Sequence, residues 1–237
     1  MAVYVYSIVA STHPQRLDGL DGVGDPPGEL RKVSAGKLSA IVGEATEDLR
    51  ARRRDLAAHQ AVQERLMADG TVLPLQFGFT TTDDDAVRTV LEDGADDFAE
   101  RLRTLEGCVE YHLKAAQDED ALLRRILEES DEAHSLNEQI KSGRGGPDLP
   151  LTLGEKVAQE VQAHQGRLAT SIAEALRSLT RDERQSQPTG DDFLSVSFLV
   201  TRENEDRFRT AEKKLADDLG TDVDLRVYGP LPTYSFV

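Results

Sequence analysis

Residues 109–115 read VEYHLKA. Val109, Tyr111, Leu113 and Ala115 are apolar, and Glu110, His112 and Lys114 are polar between them. A period of two places the first set on one face and the second on the other, so the segment is expected to be a half-exposed strand. It stands near the middle of a 237-residue chain, just after Gly107. If it opens a second sheet, the chain is two small domains, 1–107 and 108–237. If it completes the first sheet, the boundary moves past it. We place the boundary at 107, and the other assignment stays open.

Working back towards the start, residues 3–9 (VYVYSIV) are β-branched and aromatic with apolar groups on both faces, the pattern of a central strand. Residues 13–28 hold three prolines and four glycines and read as a long loop. A hairpin is expected over 30–43, turning at Ser34-Ala35-Gly36. From Thr46 to Ala68 the spacing of Leu49, Leu56, His59, Gln63 and Leu66 is helical. TVLPLQFGF (71–79) is extended, but Pro74 lacks a donor for a sheet ladder, so an edge strand or a broken strand is expected, with Leu75 and Phe77 packed inward. Thr82, with Asp85 three residues on, is expected to cap a helix that runs to Leu105. The acidic run Asp83-Asp84-Asp85 is explained by that helix start.

Working forward, one charged helix is expected over 118–141, a loop at SGRGGPDLP (142–150) and a second helix over 151–181, together an antiparallel helical hairpin. Beyond it are expected a strand over 193–200, a helix over 204–219 closed by Gly220 and a strand over 222–228. Strands and helices do not strictly alternate, so the class is α+β. The first domain is expected to be ferredoxin-like, with helices on one face of an antiparallel sheet. The second is expected to be α+β with the long helical hairpin and a docked C-terminal tail.

A net charge of −16 argues against nucleic acid and against an anionic membrane surface. No apolar run is long enough to cross a bilayer. The opening residues pass straight into a strand without a basic, cleavable leader, and the single Cys108 excludes an internal disulfide. Together these favour a cytoplasmic protein. Cys108 and His112 lie roughly 13 Å apart along a strand, too far to share one metal ion. His59 and His164 sit on apolar helical faces and read as hydrogen-bonded core histidines. Neither GVGDPPG nor GRGGPD has the context of a phosphate cradle, and no G-x-S-x-G elbow is present. No metal, cofactor, small-molecule substrate or catalytic residue is expected.

Three stretches carry a family resemblance: YVYSIV at the start, LPLQFG (73–78), and above all YGPLPTYSFV at the close. With HQAVQERL (59–66) and GCVEYHLK (107–114), they are similar to segments of the gas vesicle protein F/L family from end to end. Leu231 stands where a Trp is common in that family, and Thr233 where a second Pro is common. The resemblance implies an accessory or minor structural protein of gas vesicles. It would bind the hydrophobic shell subunit, associate with other accessory proteins and support vesicle assembly, with no catalytic residues. Readings from other classes are a ferredoxin-like monooxygenase-type enzyme, which needs a closed apolar pocket with convergent polar groups, and a general scaffold that uses the helical hairpin.

The closing segment has two prolines and three aromatics in ten residues, unlike a frayed polar end. Pro230 and Pro232 hold it extended, so Tyr234 and Phe236, two apart, are expected to enter one groove from the same side. The candidate contacts, with a partner or for docking of the tail, are Leu73, Phe77, Phe79, Leu231, Tyr234 and Phe236.

Overall fold

Val3–Ala10 (β1) is buried at every position but its last, because sequence places apolar groups on both faces and the fold covers both. The computed structural model describes residues 2–45, 49–144 and 146–237. β1 pairs antiparallel with Leu38–Glu44 (β3), which in turn pairs with Arg31–Ala35 (β2) as the expected hairpin. On its other side β1 pairs with the edge strand Val72–Pro74 (β4) and, at its start, with Thr80–Thr81 (β5). The order is β2-β3-β1-β4. Pro74 is the last residue of β4, as a residue without a donor requires.

A register shift lies between Val5 and Ser7. One extra residue reverses the sidedness of the remainder of the strand. Val3, Val5 and Ile8 therefore share one face, packed on Asp84–Asp93 (α2) and Ala95–Thr104 (α3) through Val87, Leu91 and Leu102. Tyr4, Tyr6 and Val9 share the other, packed on Arg53–Asp69 (α1) through Val62 and Leu66. Helices thus cover both faces of this sheet, and the expected single covered face is corrected. The expected helix 46–68 begins at Arg53, and residues 46–48 lie outside the described residues. The cap before α2 is Asp83, whose carboxylate accepts from Ala86 N at 2.9 Å, rather than Thr82. The single helix expected over 82–105 is interrupted at Gly94, which separates α2 from α3.

Cys108–Gln117 (β6) begins the second sheet, of order β7-β8-β6-β9, with Asp182–Gln185 (β7), Asp192–Thr201 (β8) and Val223–Leu231 (β9). Counted in chain order, β1–β4 of the five-stranded first sheet and the four strands of the second are arranged alike, as 2-3-1-4. In the second sheet both crossovers are helical. Glu119–Glu129 (α4), Asp131–Lys141 (α5) and Leu149–Arg177 (α6) connect β6 to β7, and Glu205–Leu219 (α7) connects β8 to β9. In the first sheet the link from β1 to β2 is the irregular stretch 11–30, and only the link from β3 to β4 is a helix, α1.

The expected helical hairpin is three helices. Ser130 breaks the helix expected over 118–141, and its hydroxyl accepts from Ala133 N at 3.3 Å to start α5. Leu122, Ile126 and Ala133 form the core of this group, with Leu153, Val157 and Val161 of α6 against them. Elsewhere Phe198 of β8 packs on Phe208 of α7 with ring centres 5.7 Å apart. β7 (DERQ) carries no apolar residue and left no strand signal in the sequence.

The chain divides into two units, though not at 107. The first comprises residues 1–111, 199–202 and 229–237, and the second 112–198 and 203–228. The first four residues of β6 belong with the first unit, and the closing segment returns to it. This is why Glu110, expected on a solvated face, is buried.

Candidate functional site

His59 and Gln63 stand four apart on α1 and therefore on one face, aimed at β1. Tyr4 Oη accepts from the Gly78 amide at 3.1 Å and lies 2.8 Å from His59 Nδ1. His59 Nε2 lies 3.2 Å from Tyr234 Oη and 3.3 Å from Gln63 Nε2. Gln63 accepts from Ser7 Oγ at 2.5 Å and donates to the Tyr6 carbonyl at 2.6 Å. Tyr6 Oη accepts from Val23 N at 2.8 Å. The His59 ring stacks on Tyr6 with centres 5.6 Å apart and meets Phe77 edge-on at 5.8 Å. Burial pushes the His59 pKa below its ordinary value, so the ring is neutral at neutral pH. Burial lifts the Tyr6 hydroxyl to about 12, and burial with the nearby Glu110 charge does the same for Tyr234. These hydroxyls stay protonated and serve as hydrogen-bonding groups.

The closing segment is held at two further points. The buried Glu110 carboxylate accepts from the Ser235 amide at 2.8 Å and from the Ser235 hydroxyl at 2.7 Å. Gly229 has φ +152, and a Cβ there would lie 2.6 Å from the Tyr111 ring and 2.9 Å from the Glu110 carbonyl oxygen. Only glycine lets the strand pass so close to β6.

On the opposite face of the first sheet, β1, β4, α2 and α3 enclose an apolar groove of about 340 Å³. Val5, Leu73 and Leu75 line it from the sheet side, and Val87, Leu91 and Phe98 from the helices. Phe79, Val90 and Val237 also line it and are exposed, three of the large apolar residues the surface leaves uncovered. Thr80 and Thr81 supply the polar groups of the lining.

The six candidate residues divide between these places. Leu73 is buried in the core and Phe79 stands at the rim, both lining the groove. Phe77 lies on the opposite face, in the cluster with Tyr4 and His59. Leu231 ends β9 and is half-buried. Tyr234 and Phe236 do not share a groove. Residues 234–236 form a 3₁₀ turn, whose period of three separates neighbours that an extended segment would align. Tyr234 reaches His59, and Phe236 packs on the cluster behind the groove. Sequence reasoning missed Glu110, Val90 and Val237. A glutamate between two core residues of an apolar strand was the available signal for Glu110. Val90 and Val237 carried none.

No group of three or more His, Cys, Asp or Glu side chains placed to hold a metal ion occurs among the described residues. No helix among them is long and apolar enough to cross a membrane. In structure the chain resembles the gas vesicle protein GvpF of Anabaena sp. PCC7120, with a TM-score of 0.86 at 20% identity over 99% of this chain and 97% of that one. It also resembles GvpF of Microcystis aeruginosa, with a TM-score of 0.81 at 21% identity over 99% and 98%. In sequence it is 43% identical to gas vesicle protein F of Streptomyces sp. (strain CB03234) over the full length of both. It is 28% identical to gas vesicle protein L1 of Halobacterium salinarum over 98% of this chain and 89% of that protein. The family model described as gas vesicle synthesis protein GvpL/GvpF matches residues 2–237, and the chain belongs to that family.

Proposed function

We propose that this chain serves gas vesicle formation by holding the hydrophobic shell subunit, before assembly, against the apolar groove of its first unit. The family membership supports the role in vesicle formation. The observation that carries the finer reading is the groove, with Phe79, Val90 and Val237 exposed at its rim on a chain of net charge −16. An uncovered apolar surface of this kind marks a contact site, and a strongly charged body keeps a complex with an aggregating client dispersed. The role is one of binding, shared with other accessory proteins at the vesicle. The test is co-expression with the shell subunit, then pull-down at low and moderate salt. The chain is expected to retain the subunit and raise its soluble yield. Val90→Asp, at an exposed position, is expected to abolish retention without lowering the melting temperature. No retention by the unaltered chain at either salt concentration overturns the reading.

A further inference from the structure

The groove has a second property, in the charge of its helical wall. Between Leu91 and Phe98, both lining residues, the chain runs Glu92-Asp93-Gly94-Ala95-Asp96-Asp97, and all four acids are exposed. Over residues 83–100, which include α2 and most of α3, there are eight acidic residues and one basic residue, Arg88. The lining is apolar apart from Thr80 and Thr81, so it offers little to orient a small polar ligand. The charge lies outside the cavity, on exposed residues of the turn that joins the lining residues Leu91 and Phe98, where it acts on groups that project from the cavity.

We propose that the groove receives an amphipathic peptide segment of a partner protein, its apolar face in the cavity and its lysine or arginine flank against the α2–α3 turn. A purely apolar segment would fill the cavity and leave the acidic wall without a counterpart. An acidic amphipathic segment would be repelled. This deepens the preceding reading, on which it rests, by stating which part of a client the site selects.

The test uses two labelled helical peptides, one with leucine on one face and lysine on the other, and its twin with glutamate in place of lysine. The protein is the full chain, and binding is read by fluorescence anisotropy at low and high salt. The lysine peptide is expected to bind, more weakly as salt rises, and the glutamate peptide to bind at least about tenfold less tightly. The combined variant Glu92→Gln, Asp93→Asn, Asp96→Asn, Asp97→Asn is expected to lose about tenfold in affinity for the lysine peptide, with little change in melting temperature. Val90→Asp is expected to weaken the lysine peptide despite adding a negative charge, which separates groove binding from loose attraction to an acidic surface. Equal binding of the two peptides, or full affinity in either variant, overturns the proposal. Retention of the shell subunit, measured on the same proteins, separates the two readings. If the four-fold variant retains the subunit as the unaltered chain does, the acidic wall has no part and this inference falls alone. If the lysine peptide behaves as expected while no subunit is retained, the proposed function falls alone.

Discussion

Glu110 is a buried carboxylate with two hydrogen bonds to one residue, Ser235, 125 positions away in the chain. In Glu110→Gln the amide oxygen can accept one of the two bonds, and the other donor faces an NH₂ group. Ser235 is exposed and water can reach the freed donor, so the loss is the net worth of a hydrogen bond to a charged group, about 1.5–3 kcal/mol. The variant is expected to melt lower and to exchange the Ser235 amide hydrogen faster, and unchanged exchange would remove Glu110 as the anchor. His59 gives the same region a pH dependence. Its folded-state pKa is depressed, so the unfolded chain takes up a proton first as pH falls below about 6.5. Stability contributed by the neutral ring is full above that pH and declines below it. His13 is shifted in the same direction by burial, so His59→Gln is expected to flatten the decline in melting temperature between about pH 7 and 5 without abolishing it. A variant as steep as the unaltered chain would place the dependence elsewhere.

At the scale of elements, the closing segment 229–237 behaves as part of the first unit, through β9, the turn 234–236 and the bonds to His59 and Glu110. Deleting it is expected to lower the melting temperature by several degrees, the shift that about 2 kcal/mol gives a domain of this size. A truncated chain that melts normally yet no longer retains the shell subunit would reassign the segment to partner binding. Periodicity in the sequence located β1, the 30–43 hairpin, β8 and α7 because each carries its own repeat of apolar residues. It did not locate the breaks at Gly94 and Ser130, where apolar spacing continues across the interruption. It could not show that Tyr4 meets Gly78 or that Glu110 meets Ser235, since nothing local to either residue records a partner 74 or 125 positions away. The segments quoted for the family resemblance meet at these contacts. Tyr4 and Ser7, His59 and Gln63, Phe77 and Gly78, Glu110 and Tyr234 come from five stretches and form one cluster of contacts, buried at Tyr4, Ser7, His59, Gln63 and Glu110. The same stretches also supply the sheet side of the groove, through Val5, Leu73 and Leu75, while its helical side, with Val87, Val90 and Phe98, lies outside them.

For the whole molecule, the division into units means that the first cannot be isolated by cutting the chain once. Residues 1–111 alone lack Leu199, which packs in the core behind the groove, and lack the segment 229–237. A fragment of residues 1–111 is expected to be poorly soluble and to lack a cooperative melting transition. Adding a peptide of residues 229–237 is expected to restore protection only partly, because residues 199–202 remain absent. A fragment that melts like the full chain would show that the returning segments are dispensable.

Glu110 is also made long before the residue it holds. At about 5–20 residues per second, the roughly 126 residues after position 111 take about 6 to 25 s to synthesise. Throughout that interval the aromatic face around Tyr4 and His59 lacks Tyr234, and the core beside the groove lacks Phe236. A ribosome that stops early releases a chain whose first unit remains open, and such products are natural substrates for chaperones and proteases. The first unit is therefore completed only once residues 234–236 have been added, long after the strands and helices they contact.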